Sequence, residues 1–466
     1  MAAQLSGDPT EVATAWFDAA WDPDAGLLWN PPGAFADVTE GPRTVHVVRE
    51  TAWYALGLLR RAEPGDRERA LVALEAVLHQ QYDDPGHPWH GTFVRFPEWP
   101  PPGDDAVEWV DYDPNWRQFL GTALALAVTD FDLPADLERR ARAAIDLAVT
   151  SEPPGRVPPT YANIALLRTW LEAWAGRPDD PYARAVSDAF HRHGCFTEHG
   201  SPTYYGVDLL ALGLWQRADS PVLLRDLGAA IESALWHDVG RWWHADLGNL
   251  CGPYTRAYGM DLHAYVSGLG LALWCAGLPA PLPDLRADAI AHGHDLAMAP
   301  VLQHVGLRVP AGARDAFERF SGERAVEQVI DDDPARRATG WLGEGMAIGA
   351  EDGRTGAHAR GQFHPATVHW RLPDGGVGWL RPEHHAPVTA TASSRRLDVA
   401  CHPHPRHGPR PTRWVSNVTP EHVADGRWQL PGLGVVVDTD AVLADPATLT
   451  YEPRGDGGTR FTLHLT

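Results

Sequence analysis

The sequence predicts a mainly α chain with a C-terminal β domain: an α/α toroid followed by an antiparallel, β-sandwich-like domain. Three observations carry this. Residues 1–300 repeat segments whose apolar side chains fall three and four apart, as a helix with one buried face requires. Gly, Pro and Asp separate these segments by short links, which sets successive helices antiparallel. Beyond Asp333 short runs alternate apolar and polar residues, the period of a half-buried strand.

Helices are expected near 10–20, at Thr44–Arg61 (TVHVVRETAWYALGLLRR), and at 66–81, 115–129, 135–150, 160–176, 181–193, 204–217, 221–236, 259–276 and 284–298. Breaks such as Glu63-Pro64-Gly65 and Glu152-Pro153-Pro154-Gly155 bound them. About eleven helices in successive hairpins can curl into a closed ring whose loops make a cleft at one end. Two links are too long for simple connections, Gln81–Asp113 and Asp238–Tyr258. Both are rich in Trp and Tyr, which suits function better than disorder. The domain reading is therefore 1–300 as the toroid and catalytic domain, 301–335 as a connector, and 336–466 as the β domain. Strands are expected at 366–372, 376–382, 395–402, 426–440 and 459–465.

Composition removes several functions. The 466 residues include 39 basic side chains, all Arg, against 61 acidic ones, for a net charge of -22. Without Lys there is no Schiff-base chemistry and no P-loop lysine. The acidic balance argues against nucleic acid as a partner. The four cysteines are widely spaced, with no CxxC pair, so neither a zinc ribbon nor a dithiol site is signalled. No basic-then-apolar leader and no run of 18 apolar residues is present, so a cytoplasmic protein without a membrane span is expected. No cofactor or metal is expected. The pairs His191/His193 and His292/His294-Asp295, and the run His402/His404/His407, lack a recognised ligand spacing.

Four clusters at helix starts could carry chemistry. The first, Glu198-His199-Gly-Ser201-Pro202-Thr-Tyr204-Tyr205, precedes the apolar run Leu209–Leu214, with Ser201 as the expected cap. It reads equally as a site at a helix N-terminus or as a capped helix with two core tyrosines. The second packs Tyr254, Arg256, Tyr258, Asp261, His263 and Tyr265 into one loop-to-helix junction. So many polar groups are hard to bury without purpose. The third places Asn163 in the first turn of an apolar helix behind Thr160, and the fourth is Asp113-Pro114-Asn115-Trp116-Arg117. Both read foremost as caps and core residues, although Trp116 could stack on a sugar ring.

The string GCFTEHGSPTYYGVDLLALGLW resembles the helix-start motif of the α/α-toroid polysaccharide lyases of the alginate lyase and heparinase II/III type. Glu198, Ser201-Pro202 and Tyr204 match its Glu, Ser and Tyr positions, over some twenty residues. The helix-then-sheet order fits as well. The resemblance implies Tyr204 as catalytic acid and base, and Asn163 as the amide that neutralises a uronate carboxylate. The sequence departs from the motif at Tyr205 and Ile164, where the family carries His. The family's base then has to come from elsewhere, with His199 and His263 as candidates.

β-Elimination at a uronate needs a group to neutralise the carboxylate, a base for the adjacent C–H, and an acid for the departing oxygen. Arg256 and Asn163 suit the first role; His199, His263 or a tyrosinate the second; Tyr204 or Tyr258 the third. Tyr205, Tyr254, Asp261, Asn115 and Trp116 complete the expected binding set. Two other readings stand beside the lyase. A toroid glycoside hydrolase would use Glu198 and Asp261 as its carboxylate pair. A non-catalytic carbohydrate-binding protein would bind without turnover.

Overall fold

The computed structural model describes residues 7–31, 44–354 and 361–466. Among these, twelve α-helices precede a region of antiparallel sheets. They are α1 (Pro9–Asp18), α2 (Val48–Arg61), α3 (Asp66–Leu78), α4 (Trp116–Asp130), α5 (Ala135–Thr150), α6 (Ala162–Trp174), α7 (Asp180–His191), α8 (Tyr205–Trp215), α9 (Val222–Trp242), α10 (Gly268–Cys275), α11 (Ala299–Val305) and α12 (Ala311–Glu318).

Burial sorts the helices into two layers. α4, α8 and α10 are buried on nearly every side, and α2 and α6 over most of their length. α3, α5 and α7 bury a single stripe each. A helix that is apolar all round belongs inside, and a one-stripe helix covers it. Each inner helix packs on the helix that follows it: α2 on α3, α4 on α5, α6 on α7, α8 on α9. The inner helices also contact one another in turn, α2–α4–α6–α8–α10–α11, and α11 returns to α2. Gly206 and Gly268 allow the closest of these approaches. A Cβ on Gly206 would lie 2.2 Å from the Gly268 carbonyl oxygen, so α8 and α10 meet backbone to backbone at their starts.

The C-terminal region holds two antiparallel sheets. Eight strands form the first, in the order Val442–Asp445, Thr450–Glu452, Thr412–Ser416, Val377–Glu383, Ala366–Arg371, Met346–Asp352, Ala335–Gly343 and Arg324–Asp332. Six form the second: Val388–Ser393, Arg396–Cys401, Thr459–Leu465, Leu433–Thr439, Arg427–Leu430 and His422–Ala424. Ile348 and Trp370 of the first sheet share a core with Trp428 and Phe461 of the second. Neighbours pointing the other way, Leu342 and Ala347, join the core of the helical domain instead. The two-residue period of the strand thus serves both interfaces.

Several elements differ from expectation. Residues 301–335, read as connector, contain most of α11, all of α12 and the edge strand Arg324–Asp332. That strand buries only Gln328 and Ile330, and its exposed charges hide the alternation. The helix expected at 259–276 forms only from Gly268, where Ser267 Oγ accepts the Gly270 N–H at 3.0 Å. Residues before it are held by the sheet region, with His369 Nε2 2.8 Å from the Met260 carbonyl. Of 284–298 only a 3₁₀ turn, Gly293–Met298, is helical. α9 runs on to Trp242, six residues past the expected end, which shortens the second long link. Among the described residues no helix is long and apolar enough to cross a membrane.

Candidate active site

A cavity of about 390 Å³ opens where the starts of α2, α4, α6, α8, α10 and the 3₁₀ turn converge. Glu50 reaches it from α2, Trp116 from α4, Asn163 from α6, Tyr204 from α8 and Gly268 from α10. Helix N-termini carry the positive end of the dipole, but the first-turn N–H groups of α10 already donate to the Pro202 carbonyl and to Ser267 Oγ. Arg49, Arg95 and Arg256 line the same space, offset by Glu50, Asp113 and Asp295.

Tyr204 is the best-held group in it. Ser201, expected as the cap of α8, sits one turn early, and Tyr204 itself occupies the cap position. Ser201 Oγ accepts the Tyr204 N–H at 3.2 Å and donates to the Arg256 carbonyl at 3.0 Å. This ties the first sequence cluster to the second across 55 residues. Arg256 Nη2 then donates to Tyr204 Oη at 2.9 Å, and Nη1 to Glu198 Oε1 at 3.1 Å. Tyr258 Oη lies 3.3 Å from Tyr204 Oη. Burial opposes the charge on Arg256, but Tyr204 and Glu198 outweigh it and raise its pKa above the ordinary value. Burial, and then the charge of an ionised Tyr204, push Tyr258 well above the usual tyrosine range. Tyr258 therefore keeps its proton.

The sheet region holds this loop in place. Tyr254 exchanges two backbone hydrogen bonds with His364, at 3.0 and 2.8 Å, and Ala257 N–H donates to the Gln362 carbonyl at 2.9 Å. Gln362 also lines the cavity and accepts from Arg256 Nε at 3.3 Å.

Asn163 is 1% exposed, and neither amide atom has a partner within the protein. A buried polar group without a partner is costly, and this one lies in the cavity wall. Asn115, by contrast, is satisfied. It donates to Tyr161 Oη and accepts from Arg156 Nη1, both at 2.8 Å. Trp116 lines the cavity beside Trp53 and Phe119. The Arg49 guanidinium lies 4.6 Å from the Trp53 ring and 5.8 Å from that of Trp116.

Five expected site residues lie elsewhere. His199 is buried behind α8, edge-on to Trp242 at 4.9 Å and 3.5 Å from Asp238. Tyr205 turns away because adjacent helical residues diverge by about 100°, and its Oη accepts the Gly200 N–H at 2.7 Å. Tyr254 is wholly buried and donates to the Leu250 carbonyl at 2.8 Å. His263 Nδ1 pairs with Asp261 Oδ1 at 3.0 Å in a local turn, and neither residue lines the cavity. Glu198 reaches the site only through Arg256. Sequence reasoning passed over Arg49, Arg95, Tyr161 and Gln362, which line the cavity. The charged pair Arg49-Glu50, just before the apolar stretch Ala52–Leu59, was the available signal. It also set aside His292, His294 and Asp295, whose ligand atoms lie within 4.8 Å of one another here.

Residues 10–306 match the family model described as Domain of unknown function (DUF8769), and residues 317–464 that described as Domain of unknown function (DUF8770). No curated protein matches the chain. Among solved structures, a fragment of native alpha-2-macroglobulin from Escherichia coli, spanning domain MG7 to the C-terminus, is similar at 11% identity. The match covers 93% of this chain and 70% of that one, with a TM-score of 0.28, too low to bear on fold or function. The first match extends over more than half of the sequence, and the chain belongs to the family described as Domain of unknown function (DUF8769).

Proposed function

We propose that the chain is a carbohydrate lyase that cleaves uronate-containing oligo- or polysaccharides by β-elimination, a distant relative of the alginate lyase and heparinase II/III type. The helical domain is then an α/α toroid, a reading supported by the contact circuit of the inner helices from α2 through α11 back to α2. The two sheets with a shared core are its β-sandwich. One observation carries the function. The Tyr204 hydroxyl is held between Arg256 and Tyr258 in the cavity that also presents the unpartnered amide of Asn163.

In this reading the uronate carboxylate binds the unpartnered amide of Asn163, which stabilises the charge that builds up as the neighbouring C–H ionises. Tyr204, as phenolate, takes that proton. The Arg256 guanidinium donates to its oxygen at 2.9 Å, and the Tyr258 hydroxyl lies 3.3 Å from it. The C–O bond to the leaving sugar then breaks as the C=C bond forms. Tyr204 returns its proton to the departing oxygen. His199 and His263 lie outside the cavity, so the tyrosinate is the base the geometry supports. The hydrolase reading needs Glu198 and Asp261 to flank one bond, and Asp261 does not line the cavity.

The test is ultraviolet absorbance on a panel of uronate oligosaccharides, with Tyr204→Phe as control. Unsaturated product that disappears in the variant supports elimination. Reducing ends without absorbance move the assignment to hydrolysis. Binding without turnover leaves a carbohydrate-binding protein.

A further inference from the structure

We propose that His292, His294 and Asp295 form a binding site for one divalent transition cation of the zinc type, on the wall of the cavity beside Tyr258. His292 Nδ1 lies 3.9 Å from Asp295 Oδ2, and His294 Nε2 lies 3.5 Å from Asp295 Oδ1. Both separations exceed a good hydrogen bond. The two contacts use different oxygens of Asp295, and one ligand atom from each residue lies within 4.8 Å of the others. Two ligands about 2.0–2.1 Å from a tetrahedral metal stand about 3.3–3.4 Å apart, a spacing the set reaches by small rotations of its side chains. Two imidazoles and one carboxylate also make the mixed N/O set that such cations prefer, with a coordination position left for a ligand oxygen.

The surroundings hold this geometry. His292 sits at a left-handed backbone position, φ 54°, a region His enters more readily than most side chains. Its ring stacks on Tyr258 at 4.0 Å and 5°, which sets its plane. Arg49 Nη2 donates to Asp295 Oδ1 at 3.0 Å and orients the carboxylate, as outer-shell partners of metal ligands do. Arg49 Nε also pairs with Glu50 at 2.9 Å, so Arg49 is shared between two carboxylates, and Arg95 lines the same cavity. All three proposed ligands line the cavity, so a bound cation would meet the same ligand as Tyr204.

The experiment titrates Zn²⁺ into metal-stripped full-length chain by calorimetry, with Co²⁺ binding followed by its visible absorption. His294→Ala is compared with His404→Ala/His407→Ala, an aromatic pair in the other domain. We expect one ion per chain, a coordinated Co²⁺ spectrum, and an affinity loss of at least about 100-fold in His294→Ala alone. Unchanged affinity in His294→Ala, or loss only in the His404/His407 variant, overturns the site. Asp295→Asn, close in shape, replaces His294→Ala if circular dichroism shows that variant unfolded. The readout is independent of turnover: a chain that binds zinc here without eliminating keeps this site and loses the lyase reading.

Discussion

Replacing Asn163 with leucine should make the protein more stable and less active. Asn163 is 1% exposed on α6, and both amide atoms lack a partner within the protein. Holding an unpartnered amide there costs roughly 1–3 kcal/mol. Leucine has a similar size, removes that cost and is the better helix former. The expected gain is about 1–3 kcal/mol, seen in a thermal melt as a Tm several degrees higher. If the amide neutralises a substrate carboxylate, its loss should slow elimination by about 10²–10³-fold. Calorimetric melting and the ultraviolet assay together decide the matter. A lower Tm would mean that Asn163 supports the fold. Unchanged turnover would mean that the amide does not meet the reacting group. Either result refutes the reasoning.

Other expectations follow from the same geometry. Tyr204→Phe should cost about 10²–10⁴-fold in kcat while the melting curve stays in place; turnover near wild type removes Tyr204 from the chemistry. Arg256→Lys loses the fork that spans Tyr204 and Glu198. Turnover should fall while the melting curve stays in place, and turnover near wild type counts against Arg256 as the group that holds Tyr204. Gly206→Ala places a methyl 2.2 Å from the Gly268 carbonyl and should destabilise by about 1–3 kcal/mol, read from denaturant midpoints. His369 is wholly buried, and burial lowers its pKa from 6.5 to about 4. Above pH 6.5 both states leave this group neutral, and its stability contribution is complete. As pH falls from 6.5 towards 4 the unfolded chain takes up the proton and the folded chain does not, so about 3 kcal/mol is lost. His369→Gln should flatten that part of the stability–pH curve, and an equal slope in both proteins would contradict the assignment.

The helices were legible because each writes its burial into a local period. α2, α6 and α8 each fall within a segment expected to be helical, α4 runs one residue past its own, and the strands Ala366–Arg371 and Thr459–Leu465 fall within segments expected to be strands. Tyr204, Tyr258 and Arg256 were legible as polar groups crowded beside apolar helices. The edge strand Arg324–Asp332 was not, because one face meets solvent and its charges break the alternation. The residues around α10 misled for a different reason: 259–267 is apolar enough for a helix, yet its backbone is claimed by His369, Asn249 and Ala291, outside the segment.

By itself, then, the sequence determined the order of helices and strands, the absence of lysine chemistry, and the types of side chain available at the helix starts. Those follow from composition and from periods a few residues long. Only the tertiary structure decided which of those groups meet. It brought Arg256 to Tyr204 across 52 positions, turned Tyr205 and His199 into the core, and drew Arg49 and His292 into the wall of one cavity. The physical reason is that a site is made by distance and direction between remote residues. Helix packing at a pair of glycines and a loop pinned by a neighbouring sheet set both, and neither leaves a local signature in the chain.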